Sequence, residues 1–199
     1  IVKENSDENT AVFIAGDSQH PEVKGIMSYC NGEVFTFINA AELEKIIENF
    51  PDLTKNKIIC VAQTTFSIKE WENCLKKIKK HYTNAIIFDT ICVATQKRQC
   101  EAQELSKVSD AMIIIGGRES SNTAKLKAVC SENCETYLVE RASELKNINF
   151  SHTTLIGVTA GASTPAAIIK EVLLAMSELV NETANARRVR TDAPRKSLN

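Results

Sequence analysis

AVFIAGDSQHPEV, residues 11–23, recurs a hundred positions further on as AMIIIGGRESSNT, residues 111–123. Each stretch begins with a short, unbroken apolar run rich in β-branched residues, turns at a glycine and continues into a polar segment. A run without polar alternation suits a strand buried on both faces, as in the middle of a parallel sheet. Working outward, the repeat continues in order: FTFINAAELEKI from Phe35 aligns with TYLVERASELKN from Thr136, and IICVAQTTFS from Ile58 with LIGVTAGAST from Leu155. Self-similarity at a fixed offset predicts two similar α/β domains with parallel sheets, at 1–84 and 85–175. Strands are expected at 11–15, 34–37, 58–62, 85–88, 112–115, 137–139 and 155–158. Helices are expected at 40–49, 68–81, 95–108, 122–130 and 164–179. The remainder, 176–199, holds RRVR and TDAPRKSLN with few apolar residues, and reads as a tail or linker.

With 43% hydrophobic and 25% charged residues the chain has the make-up of a soluble globular protein. A net charge of -1, with Lys and Glu interleaved, gives no field that would favour nucleic acid or an acidic membrane surface, so the expected partner is a small molecule. No apolar run is long enough to span a bilayer, and IVKENSDENT has no signal-peptide pattern. A first residue of Ile1 suggests processing or a fragment. Seven cysteines scattered through strand and helix patterns do not form a secreted disulfide framework, and a cytoplasmic setting is expected.

In a parallel α/β sheet, ligands collect at the carboxyl ends of the strands. The polar clusters fall there: Gly16–Glu22, Gln63–Thr65, Asp89–Cys92, Gly116–Thr123 and Thr159–Pro165. GGRESSNT and TAGASTP place glycines and hydroxyl residues before a helix, where unpaired N–H groups attract an anion such as a phosphate. The same serines and threonines also serve as ordinary helix caps, with Pro165 suited to a first turn. His20 and Glu22, two apart in a turn stiffened by Pro21, suit phosphate holding and proton delivery, since a carboxyl shielded from water can keep its proton to higher pH. Cys92 stands alone among the cysteines at a strand's carboxyl end in a polar loop, which fits a nucleophile, a metal ligand or a plain thiol. Cys130 and Cys134 lack the second pair that a zinc site needs.

Taken together, HPEVKG at His20, QTTFS at Gln63, DTICVATQKRQ at Asp89, GGRESSNTAKL at Gly116 and GVTAGASTP at Gly157 resemble the LytB/IspH family over roughly residues 11–178. The resemblance implies a 4-hydroxy-3-methylbut-2-enyl diphosphate reductase, an iron-sulfur oxidoreductase of the non-mevalonate pathway that forms isopentenyl and dimethylallyl diphosphate. It implies that Cys92 is one of three cysteine ligands of a 4Fe-4S cluster with an open fourth iron. By the same likeness His20, Ser120, Ser121, Asn122 and Ser163 hold the diphosphate, Glu22 supplies the proton, and Thr64 neighbours Glu22 and the substrate hydroxyl. The family has three similar domains in a trefoil-like arrangement, of which this chain matches the second and third; the other two cluster ligands belong to the first. A fragment of this extent is expected to be inactive alone. The family's electron donor is a protein such as ferredoxin or flavodoxin. Asp17 and Asp89 depart from residues common in the family. The competing reading is a diphosphate-binding module without redox chemistry, for which Glu22, Thr64 and Cys92 would have no use.

Overall fold

The apolar run of the first repeat forms strand β1, Thr10–Ala15, every residue of which is buried. The structure is a computed structural model and describes residues 1–51, 53, 57–150 and 153–191, with side chains described as far as residue 179. The chain divides into two compact units, Ile1–Glu101 and Ala102–Asn199.

In the first unit β1 is preceded by a single helical turn, α1 (Val2–Asn5), and followed by α2 (Pro21–Met27), β2 (Val34–Phe37), α3 (Ala40–Asn49), β3 (Lys57–Ala62), α4 (Ile68–His81), β4 (Ile86–Ile87) and the start of α5 (Val93–Val108). The sheet runs in the order β2-β1-β3-β4. Every pairing is parallel, with Ala15 opposite both Phe37 and Ala62. Because side chains alternate across a strand, Phe13 packs on one face with Phe37, Leu43, Trp71, Cys74 and Ile78, while Val12 and Ile14 pack on the other with Val23, Ile59 and Val61. Trp71, Cys74 and Ile78 recur at helical spacing, so α4 buries one stripe and leaves its lysines outside. Asn39 caps α3, accepting the N–H groups of Ala41 and Glu42 at 3.0 and 2.9 Å. Ser67 caps α4 in the same manner.

The second unit contains β5 (Ala111–Ile115), α6 (Ser121–Ser131), β6 (Glu135–Val139), a 3-10 helix (Ala142–Asn147), β7 (Ile156–Ala160) and α7 (Ala166–Thr191), with sheet order β6-β5-β7, again parallel. Met112 and Ile114 pack on one face with Leu126 and Cys130; Ile113 and Ile115 pack on the other with Val139, Leu145 and Val172. No described helix is long and apolar enough to cross a membrane.

The two units make the same bonds at the same places. Gly16 N–H reaches Phe37 C=O at 2.9 Å and Gly116 N–H reaches Val139 C=O at 3.0 Å; Gln63 N–H reaches Ala15 C=O at 2.8 Å and Gly161 N–H reaches Ile115 C=O at 2.9 Å. These bonds correct the alignment of the repeat by one residue in its second and third segments, because they set Phe37 against Val139 and Ala62 against Ala160. Three further differences from the sequence reading stand out. The division between units falls beyond position 84, since Ile86–Ile87 pairs with Ile59–Cys60 and belongs to the first sheet. Residues 21–27 are a helix rather than a turn. The helix expected to end at 179 continues to Thr191, through part of the expected tail; residues 192–199 lie outside the described residues.

Candidate functional site

Three loops leave the carboxyl edge of the first sheet, after β1, β3 and β4, and hydrogen bonds join them. His20 caps α2: its Nδ1 accepts the N–H of Glu22 at 3.2 Å, and Pro21 fills the first helical position, where no N–H is needed. With Nδ1 an acceptor, the neutral imidazole carries its proton on Nε2, the form that donates to an anion. Glu22 is thereby held in the first turn of α2, half-buried. Its Oε1 accepts the N–H of Thr64 at 2.7 Å and its Oε2 accepts the Thr64 hydroxyl at 3.0 Å. Thr64 C=O in turn accepts the N–H of Cys92 at 3.0 Å. His20, Glu22, Thr64 and Cys92 are thus one bonded series. Glu22 and Thr64 also line a cavity of about 450 Å³ within this unit, walled by Ile26, Tyr29, Val61 and Thr90 among others.

Cys92 directly precedes α5, and Gln96 N–H bonds its carbonyl at 2.9 Å. Its thiol is exposed. The N–H of Thr95 and then that of Ala94 hold it below the usual thiol value, with smaller help from the Thr95 hydroxyl and the charge of Arg98. The buried thiols go the opposite way: desolvation pushes Cys60 and Cys74 up to about 12 and Cys130 up to about 11. The main-chain donors thus favour the charged form of Cys92, the form that metals and electrophiles require, whereas burial disfavours it at the other three. Among the described residues no three His, Cys, Asp or Glu side chains gather as a metal-binding group, so no complete ligand set is present among them.

The second unit presents the two anion-type loops. Ser120 caps α6, its Oγ accepting the N–H of Thr123 at 3.4 Å, so the capping reading holds for that hydroxyl. The Arg118 N–H donates to Glu140 at 2.8 Å, and the Arg118 guanidinium pairs with Glu144, which steadies the loop from the side of β6. Asn122 is 6% exposed, and neither its Oδ1 nor its Nδ2 has a partner among the described residues. Such a group is costly to bury unsatisfied and calls for a ligand or a water. Asn122 holds in the second repeat the place of Glu22 in the first, each two residues after the cap. Ser121 is half-buried and Ser163 exposed.

Gly116 and Gly161 bring the two loops together over Thr123: a Cβ on Gly116 would lie 2.7 Å from the Thr123 hydroxyl, and one on Gly161 would lie 2.5 Å from it. Thr164 ties the second loop down by donating to Ile115 C=O at 3.0 Å. The sequence reading singled out neither Thr90, which bonds the end of β3, nor Thr95 beside the Cys92 sulfur. Both lie within DTICVATQKRQ, but as common residue types in a loop and at a helix start neither was given a role of its own.

A family model described as LytB protein matches residues 1–177. The 4-hydroxy-3-methylbut-2-enyl diphosphate reductase of Clostridium acetobutylicum is 43% identical over 189 residues, covering 92% of this chain and 28% of the relative. The reductase of the same name from Nitratiruptor sp. is 42% identical over 174 residues, covering 87% of this chain and 61% of the relative. A solved structure, the E-1-hydroxy-2-methyl-but-2-enyl-4-diphosphate reductase from Plasmodium falciparum, matches with a TM-score of 0.74 at 25% identity, covering 86% of this chain and 52% of that one. The chain thus spans less than two thirds of the length of these proteins.

Proposed function

This chain belongs to the LytB protein family, and from that premise we propose that it forms part of a 4-hydroxy-3-methylbut-2-enyl diphosphate reductase, contributing two of the enzyme's three domains. The overall reaction replaces the allylic C–OH by C–H, taking two electrons and two protons and releasing water, with isopentenyl and dimethylallyl diphosphate as products. The observation that carries this reading is the bonded series of a carboxyl, a hydroxyl and a low-lying thiol at one sheet edge: Glu22 to Thr64 to the Cys92 loop. A diphosphate-binding module has no need of that combination.

The donor chemistry of Cys92 fits a cluster ligand: the sulfur is exposed, lies at the head of a helix and is favoured as thiolate by two main-chain N–H groups. In this reading Cys92 holds one iron of a 4Fe-4S cluster, and the remaining thiolates come from the further domain of the longer relatives. Such a cluster supplies the electrons and a Lewis-acidic iron when bound. Glu22 delivers the proton through Thr64, whose hydroxyl can accept from a protonated carboxyl while donating outward to the departing oxygen. His20 donates Nε2–H to the diphosphate, and Ser120, Ser121, Asn122 and Ser163 give it neutral donors; the two unpartnered amide atoms of Asn122 are the strongest support for that role.

The electrons come from a soluble redox protein such as a ferredoxin or flavodoxin, and the setting is cytoplasmic. The test is turnover: the intact protein, purified without oxygen and given the allylic diphosphate with a chemical reductant, should yield both five-carbon diphosphates. Unchanged substrate, or release of phosphate alone, would contradict the reading.

A further inference from the structure

We propose that Thr90 is a positioning residue for this chemistry, its hydroxyl strapping the turn that carries Cys92 to the end of β3 that leads into Thr64. The inference rests on the functional reading above. Strand β4 has only two residues, and its last regular bond runs from Phe88 N–H to Cys60 C=O at 2.9 Å. A parallel ladder would continue by pairing Ala62 N–H and C=O with main-chain groups of the next strand. Here the Thr90 side chain takes both: its oxygen accepts Ala62 N–H at 2.8 Å and donates to Ala62 C=O at 2.5 Å. The hydroxyl completes the ladder in place of the backbone, which frees the chain to leave the sheet. Two residues later Cys92 N–H closes on Thr64 C=O at 3.0 Å, and Thr64 grips Glu22 with both its N–H and its hydroxyl.

Thr90 lines the same cavity as Glu22 and Thr64. Its single proton is committed to Ala62, so it has none to give a substrate, and its effect runs through the placement of Cys92 and Thr64. Valine matches its shape without either bond, whereas serine keeps both bonds without the methyl group.

The experiment compares Thr90→Val and Thr90→Ser with the parent in the intact, anaerobically prepared protein. In Thr90→Val, amide exchange at Ala62 and Cys92 should speed up by about tenfold or more, kcat should fall by about tenfold or more while KM for the diphosphate stays within about twofold, and the electron paramagnetic resonance of the reduced cluster should shift. Loss of the cluster from a folded Thr90→Val protein, with retention in Thr90→Ser, supports the same role. Thr90→Ser should match the parent. A Thr90→Val protein with parental exchange and spectrum overturns the proposal, as does a Thr90→Ser protein as impaired as Thr90→Val. Should Thr90→Val fail to fold, Thr90→Cys, a far weaker donor and acceptor of serine's size, carries the same comparison. If the intact protein holds no cluster and turns nothing over, the functional reading fails, while the exchange rates still decide the role of Thr90.

Discussion

Glu22 has both carboxylate oxygens committed to Thr64, one to its N–H and one to its hydroxyl. That geometry orients the carboxyl with no ionic partner among the described residues; in the proposed reaction the hydroxyl bond reverses once Glu22 is protonated, and the Thr64 hydroxyl then donates outward. Replacing Glu22 by Gln keeps an acceptor for the N–H but removes the transferable proton. For Glu22→Gln in the intact enzyme, kcat should fall by about a hundredfold or more, with KM for the diphosphate within about twofold; steady-state kinetics that show a raised KM at full turnover would instead make Glu22 a binding residue. The positions of His20, Glu22 and Cys92 just past strand ends were legible, because packing does not ask for such residues there; Thr64, at a like position, was singled out only by the family likeness. That Thr64 neighbours Glu22, 42 residues away, came only from the family likeness and not from the residues themselves, and the bond from Cys92 N–H to Thr64 C=O was not foreseen at all. Nor could the interior placement of Asn122 be read, since an amide in a polar loop is ordinarily solvated.

At the scale of elements, the repeat settled the α/β class, yet its register slipped by one residue in two of three segments. The reason is physical: β1, β3 and β5 are buried on nearly every residue, so hydrophobicity does not alternate and does not mark which residue faces which side. Helix α2 was missed because Pro21 and Gly25 within seven residues look like a turn, whereas the His20 cap and the proline at its start favour the helix. The end of α7 was misjudged for the converse reason, since a polar composition permits a helix as readily as a tail. The glycines at the loop starts carry a prediction. A methyl group on Gly161 would lie 2.5 Å from the hydroxyl of Thr123, itself 1% exposed, and has no room to settle. Gly161→Ala should therefore destabilise the protein by about 1–3 kcal/mol, lowering the thermal midpoint and raising KM for the diphosphate. An unchanged midpoint would show that Thr123 moves freely and that the close approach of the loops is not required.

For the whole molecule, one architecture has been used twice, with the same bonds at the strand ends and different chemistry set upon them. The first unit carries the Glu22 carboxyl and the exposed Cys92 thiol at its sheet edge, and the second carries hydroxyl and amide groups beside glycine turns. Membership of the LytB family follows from a match over residues 1–177, and the longer relatives bear the name of a diphosphate reductase. The proposal that this chain supplies a cluster ligand rests on Cys92, the exposed thiol that its helix and main-chain donors turn toward thiolate. The most direct measurement is the iron content and visible absorption of the intact protein, purified without oxygen, as parent and as Cys92→Ala. The parent should be brown with about four irons per chain, and the variant should lose both the absorption and the turnover. A Cys92→Ala protein with parental colour, iron and activity would contradict the claim.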